Sequence, residues 1–236
     1  MDTSATCLVL VDDLKSFTDP ARKEKSKTMF PTSMEVLGVT SPKMKALIKI
    51  WWIDLKMWSP GKLLDLAKKL VETRILECNM VAFELLWKNK NALKLLTLNE
   101  LKYLGQNMDN WVTTDTFSIM ISGYAWRENQ ISDADIFKWL NSENRWWRRT
   151  AVVSTVTLNL RSRGGTGDAQ RTLMICEKVI SDRDDMIVKA LSWALRELSK
   201  SDKPAVKKFM AKYDSQLAGR VRREVYTKLE TGRKNG

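Results

Sequence analysis

The two residues with the clearest chemical potential, Trp111 and Asp115, lie four positions apart in the sequence. Residues at that spacing project from the same face of an α-helix, so an indole and a carboxylate are expected side by side. The apolar segment 116–122 that follows predicts that this helix is packed. A carboxylate at that place is often a helix-start residue or a salt-bridge partner. This stretch alone does not distinguish those roles from a chemical one.

The composition of the 236-residue chain is that of a folded and strongly basic protein. Hydrophobic residues make up 44% of it and charged residues 29%, which is typical of a globular chain. Lysine and arginine outnumber aspartate and glutamate by 40 to 28, giving a formal net charge of +12. Such an excess favours a polyanionic partner, nucleic acid before a membrane surface. The alternative is a soluble protein that is merely basic.

Residue types that are missing exclude several kinds of chemistry. The chain contains no histidine, which excludes Ser-His-Asp and Cys-His machinery and removes the commonest ligand of zinc and iron. The three cysteines are far apart and are expected to be small buried side chains in a reducing cytoplasm. No apolar stretch is long enough to span a membrane. We therefore expect a cytoplasmic protein that uses no membrane, metal or other cofactor.

Helical patterns cover nearly the whole sequence. Glycine (10) and proline (5) are scarce, and segments such as 44–56 and 111–124 carry apolar residues at helical spacing. Thr40 stands just before a proline in the first turn of one such segment, which is a typical helix start. The prediction is an all-α single domain over residues 1–236, with a flexible tail at 230–236.

Small residues recur at comparable places in the apolar helices. Ala82, Ser118, Ala151 and Ala190 are separated by 36, 33 and 39 residues. A helical hairpin that recurs at such intervals is typical of an α-solenoid of HEAT-like repeats, in which a small residue lets paired helices approach closely. We predict this architecture, with a concave basic face. A non-repetitive helical bundle is the alternative.

Equivalent helices of a solenoid line one surface, so residues from successive repeats become neighbours. The candidates on that surface are tryptophans, arginines and one carboxylate, namely Trp111, Asp115, Arg148, Arg149, Trp193 and Arg196. Each has a structural alternative. A tryptophan on a solenoid helix more often belongs to the core, and the adjacent arginines could pair with Glu143 or be solvated.

Three segments of the chain, 111–115, 145–152 and 189–197, resemble signature segments of the DNA alkylation repair family of alkylpurine DNA glycosylases, which are built from HEAT-like repeats. The resemblance extends over roughly residues 20–230. The last of the three segments is the most specific, whereas the spacing of tryptophan and aspartate alone is a weak signal.

The resemblance implies roles for all six candidates. It places three of them in the catalytic cleft, Trp111, Asp115 and Trp193. It implies that the other three, Arg148, Arg149 and Arg196, bind DNA. The contact with the DNA backbone beside the lesion is assigned to Arg149 by alignment. A one-residue shift of that alignment would assign it to Arg148 instead. The implied partner is double-stranded DNA with alkylated purines, gripped by a monomer.

The implied reaction suits a protein without histidine. A purine alkylated at N3 or N7 is already cationic, so it can depart as a neutral base without a general acid. A carboxylate then stabilises the oxocarbenium-like sugar and orients a water, while indoles exclude solvent. The resemblance also implies that the lesion is not flipped into a base pocket. The alternative from another class is a non-catalytic HEAT-like DNA-binding or scaffold protein.

Three features depart from the family pattern. Asn110 stands where the type member of the family has a second tryptophan, and Met29 falls where an aromatic residue is expected. The basic, glycine-rich loop at 161–168 resembles an insertion. Because Trp111, Asp115, Arg149 and Trp193 are all present, the sequence favours an active enzyme.

Overall fold

The computed structural model describes residues 2–234, and within this range the chain folds into helices with no β-strand. The all-α prediction is confirmed, and the succession of packed helices is consistent with an α-solenoid. The chain divides into two compact units, the first ending at Ile121 and the second beginning at Ser122. The single-domain organisation therefore stays a prediction. Part of the predicted flexible tail, residues 235–236, lies outside the described residues.

The first unit is assembled around two buried helices, α4 and α5. Its helices are α1 (Thr3–Lys15), α2 (Pro20–Met29), α3 (Ser41–Leu55), α4 (Pro60–Glu72), α5 (Leu76–Lys88), α6 (Lys90–Leu93), α7 (Leu98–Leu104) and α8 (Trp111–Phe117). Helix α4 packs against α1 and α5, and α5 packs against α3 and α8. The start of α3 is capped as predicted, because the Thr40 side chain accepts a hydrogen bond from the backbone N–H of Lys43.

The helix predicted at 111–124 is present, but its middle is not α-helical. After α8 the chain passes through a π-helical turn, Ser118–Ser122, before α-helix resumes in α9 (Gly123–Arg127). Hydroxyl groups of Thr114, Thr116 and Ser118 each bond to the carbonyl four residues earlier. Such bonds compete with the helical ladder and bend it, which gives a physical reason for the irregular turn.

The second unit is assembled around α11 and α13. After α9, its helices are α10 (Asp133–Leu140), α11 (Arg145–Asn159), α12 (Ala169–Lys178), α13 (Asp185–Leu198), α14 (Lys203–Tyr213) and α15 (Gly219–Thr231). Helix α11 is buried from Arg149 to its end and packs against α9, α10, α12 and α13. Helix α13 in turn packs against α15.

Small residues lie where the repeat pattern expects them. Ala82, Ser118, Ala151 and Ala190 are all completely buried, which is the environment that close helix packing requires. The cysteines are buried as predicted, and burial raises the pKa of the Cys78 thiol to about 12. Over the described range, none of the helices combines the length and apolarity that crossing a membrane demands.

The connection between α2 and α3 is held by a buried carboxylate. Glu77 is only 4% exposed, and it accepts hydrogen bonds from the backbone N–H groups of Leu37 (3.0 Å), Gly38 (2.7 Å) and Val39 (3.2 Å). Gly38 has a φ of +81°, and a Cβ added there would lie 2.6 Å from the carbonyl oxygen of Asp19. Glycine is therefore required for this close approach of the connection to the start of α2.

Candidate functional site

The indole of Trp111 is held at the first position of α8 by contacts with the end of α2. Its Nε1–H donates a 3.3 Å hydrogen bond to the carbonyl oxygen of Met29, and its ring meets Phe30 edge to face with centroids 6.1 Å apart. The side chain is nevertheless 37% exposed. A tryptophan of the core would be covered, so this ring combines a fixed orientation with an accessible face.

The accessible part of Trp111 lines an open groove within the first unit, with a cavity volume of about 360 Å³. Most of the groove is apolar, and its lining includes Met29, Phe30, Val36, Met44, Met80 and Val112. Two cationic side chains of α2, Arg22 and Lys25, also line it. Helix α2 buries none of its residues, so its lysines and arginine are solvated. The groove thus joins an apolar floor to a basic border.

The segment that follows α2 is tied to the start of α8 by Asp109. This carboxylate accepts hydrogen bonds from the hydroxyl of Thr32 and the backbone N–H of Ser33. Burial pushes the pKa of Asp109 upward, but these hydrogen bonds outweigh it and hold the pKa below its ordinary value. The stability it contributes is present above the ordinary aspartate pKa and is lost as the pH falls through the lowered pKa.

Asn110, which stands where the type member of the resembled family has a second tryptophan, is the N-cap of α8. It is buried, and its Oδ1 accepts a 3.0 Å hydrogen bond from the backbone N–H of Thr113. Its Nδ2 donates to the hydroxyl of Thr32 and to Asp109, at 3.2 Å in each case. Asn110 therefore has a structural role, since its amide caps α8 and anchors the segment that follows α2.

We expect Asn110→Ala to lower the free energy of unfolding of the first unit by about 1–2 kcal/mol, because the cap and its bonds are lost. Urea denaturation measures this loss. Asn110→Ser is the matched control, because a hydroxyl can still cap the helix and places no second carboxylate beside Asp109. Equal destabilisation by both variants would contradict the capping role.

Asp115 lies one helical turn after Trp111 on α8 and is partly buried. The i to i+4 spacing places both side chains on one helical face, as the sequence predicts. Asp115 is not a helix-start residue, because the start of α8 is Trp111 and its cap is Asn110. One of the two ordinary explanations for this carboxylate is thereby removed.

Arg148 is engaged with the loop before α13. Its guanidinium donates to the carbonyl oxygens of Ser142 and Glu143, at 2.9 Å in each case. It also lies 3.5 Å from the carboxylate of Asp182 and 3.7 Å from that of Asp184. The contact with Glu143 is thus to its backbone rather than to its carboxylate. Arg148 links two connections of the second unit.

Arg149 is buried, with 5% of its surface exposed, and its guanidinium donates to the carbonyl oxygen of Met186 in the first turn of α13. Its positive charge contributes to the lowered pKa of Asp185, which is caused chiefly by a hydrogen bond from Lys189. The predicted contact of Arg149 with the DNA backbone stays a prediction.

Trp193 and Arg196 both lie on α13, and both are partly exposed. The guanidinium of Arg196 donates a 3.2 Å hydrogen bond to the hydroxyl of Ser192 and lies 3.5 Å from the carboxylate of Glu224 on α15. Burial lowers the pKa of Arg196, while the charge of Glu224 opposes this effect. The structure therefore brings Trp111 and Asp115 together in the first unit, and it sets the other four candidates on α11 and α13 of the second.

A family model described as "DNA alkylation repair enzyme" matches residues 10–229, which is most of the chain. The chain belongs to the DNA alkylation repair enzyme family. A comparison with curated proteins found no match. Among solved structures, the chain is similar to a "Predicted DNA alkylation repair enzyme from Enterococcus faecalis", with 21% identity and a TM-score of 0.72 over 90% of this chain and 97% of that one. At this identity the likeness supports the fold alone.

Sequence reasoning missed the part of the groove that this member of the DNA alkylation repair enzyme family builds from α2. Arg22 and Lys25 were indistinguishable from other solvated cations, because α2 has no apolar face whose periodicity would orient it. Phe30 could have been found through its aromatic type near Met29, the position where an aromatic residue is expected. Here the neighbouring ring of Phe30, not the Met29 side chain, contacts Trp111.

Proposed function

We propose that the protein is a monofunctional DNA glycosylase that hydrolyses the N-glycosidic bond of N3- or N7-alkylated purines in duplex DNA. Membership of the DNA alkylation repair enzyme family supports a role in alkylation repair. The observation that carries the finer proposal is the face of α8 shared by Trp111 and Asp115, with the indole fixed at an open, basic-bordered groove. The reaction needs no metal or other cofactor, and one molecule acts alone.

In this mechanism the bond between the sugar C1′ and the purine nitrogen breaks heterolytically. The electron pair leaves with the cationic base, which departs neutral, and the sugar becomes an oxocarbenium-like cation. Asp115 stabilises that cation electrostatically and orients the water that adds to C1′, after which a proton is released to solvent. Trp111 packs on the sugar and backbone and excludes bulk water. By the resemblance, Trp193 has the same role, and Arg148, Arg149 and Arg196 serve DNA binding.

The cations bordering the groove suit the phosphates of the duplex. We expect the double variant Arg22→Gln/Lys25→Gln to weaken DNA binding equally for all sequences. The slope of log affinity against log salt should become shallower by about two, since each phosphate contact contributes about 0.9. Fluorescence anisotropy over a salt series measures both effects.

The double variant Lys94→Gln/Lys102→Gln is the matched control, because it removes the same charge from exposed positions at α6 and α7 of the same unit. An equal change in the salt slope for both double variants would show that net charge alone, and not the border of the groove, governs binding.

The experiment that tests the proposed function is base release from methylated duplex DNA at low salt. The expected result is free N7-methylguanine or N3-methyladenine with an abasic site left in an uncut strand. If no base is released while DNA binding is retained, the proposal of a DNA glycosylase is overturned in favour of a non-catalytic DNA-binding protein. A cut strand would contradict monofunctional chemistry.

A further inference from the structure

Helix α3 exposes a row of apolar side chains that nothing in the first unit covers. Ile50 is 61% exposed, Ile53 is 64% exposed and Met57, just after the helix, is 80% exposed, while Ala46 precedes them on the same face. We call these four residues the α3 stripe. Isolated apolar residues on a surface need no explanation, whereas a contiguous row of large ones marks an interaction site.

The spacing of the α3 stripe is that of a helix-pairing seam. Its members follow one another at intervals of 4, 3 and 4 residues, which is the alternation of the a and d positions of a heptad repeat. The opposite face of α3 is used by the protein itself, since Leu47, Ile48 and Trp51 are buried. The helix therefore has two apolar faces, one inside the unit and one free.

The charges beside the α3 stripe determine what can cover it. Lys49 and Lys56 are seven residues apart and fall at successive g positions, where coiled coils place the charges that select a partner. Both are exposed, and neither forms an ion pair within the part of the chain that the structure describes. Lys45 lies on the same flank, and Asp54 is the one acidic residue of the helix.

We propose that the α3 stripe is a docking surface for an acidic amphipathic helix of another protein. The partner helix places apolar residues on Ile50, Ile53 and Met57 and carboxylates against Lys49 and Lys56. This is the helix-in-groove mode of recognition, with charge complementarity setting partner and register. A second copy of this chain fits less well, because each copy carries a net charge of +12 and the flank is mainly cationic.

The other side of α3 borders an apolar cleft that is separate from the α3 stripe. It lies between α1 and α3, has a cavity volume of about 220 Å³, and is lined chiefly by Val9, Trp51, Leu55 and Trp58. Val9 is itself 48% exposed. Asp54 also lines this cleft, which therefore does not suit the carboxylates of the partner and is not part of the proposed docking surface.

The test uses the full chain and a synthetic helical peptide of about three heptads, with leucine at a and d and glutamate at e and g. Fluorescence anisotropy of the labelled peptide measures binding. We expect the wild type to bind this peptide at least about tenfold more tightly than a peptide with lysine at e and g. Ile53→Glu is expected to weaken the binding of the acidic peptide at least about tenfold, because it places a charge in the apolar contact.

Leu95→Glu is the matched control, because Leu95 is an exposed leucine of the same unit outside the α3 stripe. This variant is expected to bind the acidic peptide as tightly as the wild type does. Equal circular dichroism and urea midpoints for the variants show that folding is unchanged. Absence of binding, or equal binding of both peptides, would overturn the proposal. So would a wild-type dimer in sedimentation that Ile53→Glu abolishes, or binding to phosphatidylserine vesicles that requires Ile53.

Discussion

Asp115→Asn is expected to lower the single-turnover rate of alkylpurine release by about 10²–10³, because the proposed mechanism then loses the preorganised charge that stabilises the developing sugar cation. The amide has nearly the same size as the carboxylate, so α8 and its contacts with α2 should persist. The measurement is the rate at saturating protein on duplex DNA containing N7-methylguanine. Saturation removes differences in affinity, so the rate reports chemistry.

The affinity of the Asp115→Asn variant separates the catalytic role from a structural one. DNA is a polyanion, and loss of a negative charge should leave affinity unchanged or slightly increased. Asp65→Asn is the matched control, since Asp65 is an exposed carboxylate on α4 of the same unit. An Asp115→Asn variant that releases base as fast as Asp65→Asn would remove Asp115 from the mechanism. Loss of both release and binding would instead indicate a structural carboxylate.

The helices of this chain could be predicted because their signals are local. Hydroxyl caps such as Thr40 and buried small residues such as Ala151 act within one turn of helix or at one packing contact, and the structure places them as expected. The π-helical turn after α8 was missed, because it depends on a balance between hydroxyl bonds and the helical ladder. No single residue type marks that balance in a sequence.

The candidate site was harder to predict, because its parts depend on contacts that are distant in the sequence. The repeat pattern and the resemblance led to Trp111, yet the residue that orients its indole is Met29, through a backbone carbonyl that has no sequence signature. Arg149 is a second residue whose contact could not be predicted from the sequence. The resemblance implies a contact with the DNA backbone, which stays a prediction, whereas the buried hydrogen bond of its guanidinium to the carbonyl of Met186 has no sequence signature.

The buried carboxylate of Glu77 connects stability to the candidate site. Glu77 holds the backbone of residues 37–39 through three hydrogen bonds. In the same connection, the carbonyl oxygen of Leu37 accepts a 3.0 Å hydrogen bond from the backbone N–H of Asp19. Asp19 is the N-cap of α2. The carboxylate therefore fixes the helix that carries Arg22 to the groove, although it makes no contact with substrate in the proposed mechanism.

We expect Glu77→Ala to lower the free energy of unfolding of the first unit by about 3–5 kcal/mol, because buried N–H groups lose a charged acceptor. Glu77→Gln should cost about 2–3 kcal/mol, since the amide NH₂ opposes one of those donors. Urea denaturation measures both losses. Hydrogen exchange at the amides of residues 37–39 should accelerate in the glutamine variant, because their protection depends on this side chain.

Glu84→Gln is the matched control for these variants, since Glu84 lies on the same helix but is partly exposed. We expect it to leave the urea midpoint and the exchange of residues 37–39 unchanged. Glu77→Gln should also weaken DNA binding, because residues 37–39 no longer hold the start of α2 and its cations no longer keep a fixed position beside Trp111. If Glu77→Gln unfolds at the wild-type urea concentration, the carboxylate does not hold the connection. If it destabilises the unit and leaves DNA affinity intact, α2 does not contribute to the DNA-binding surface.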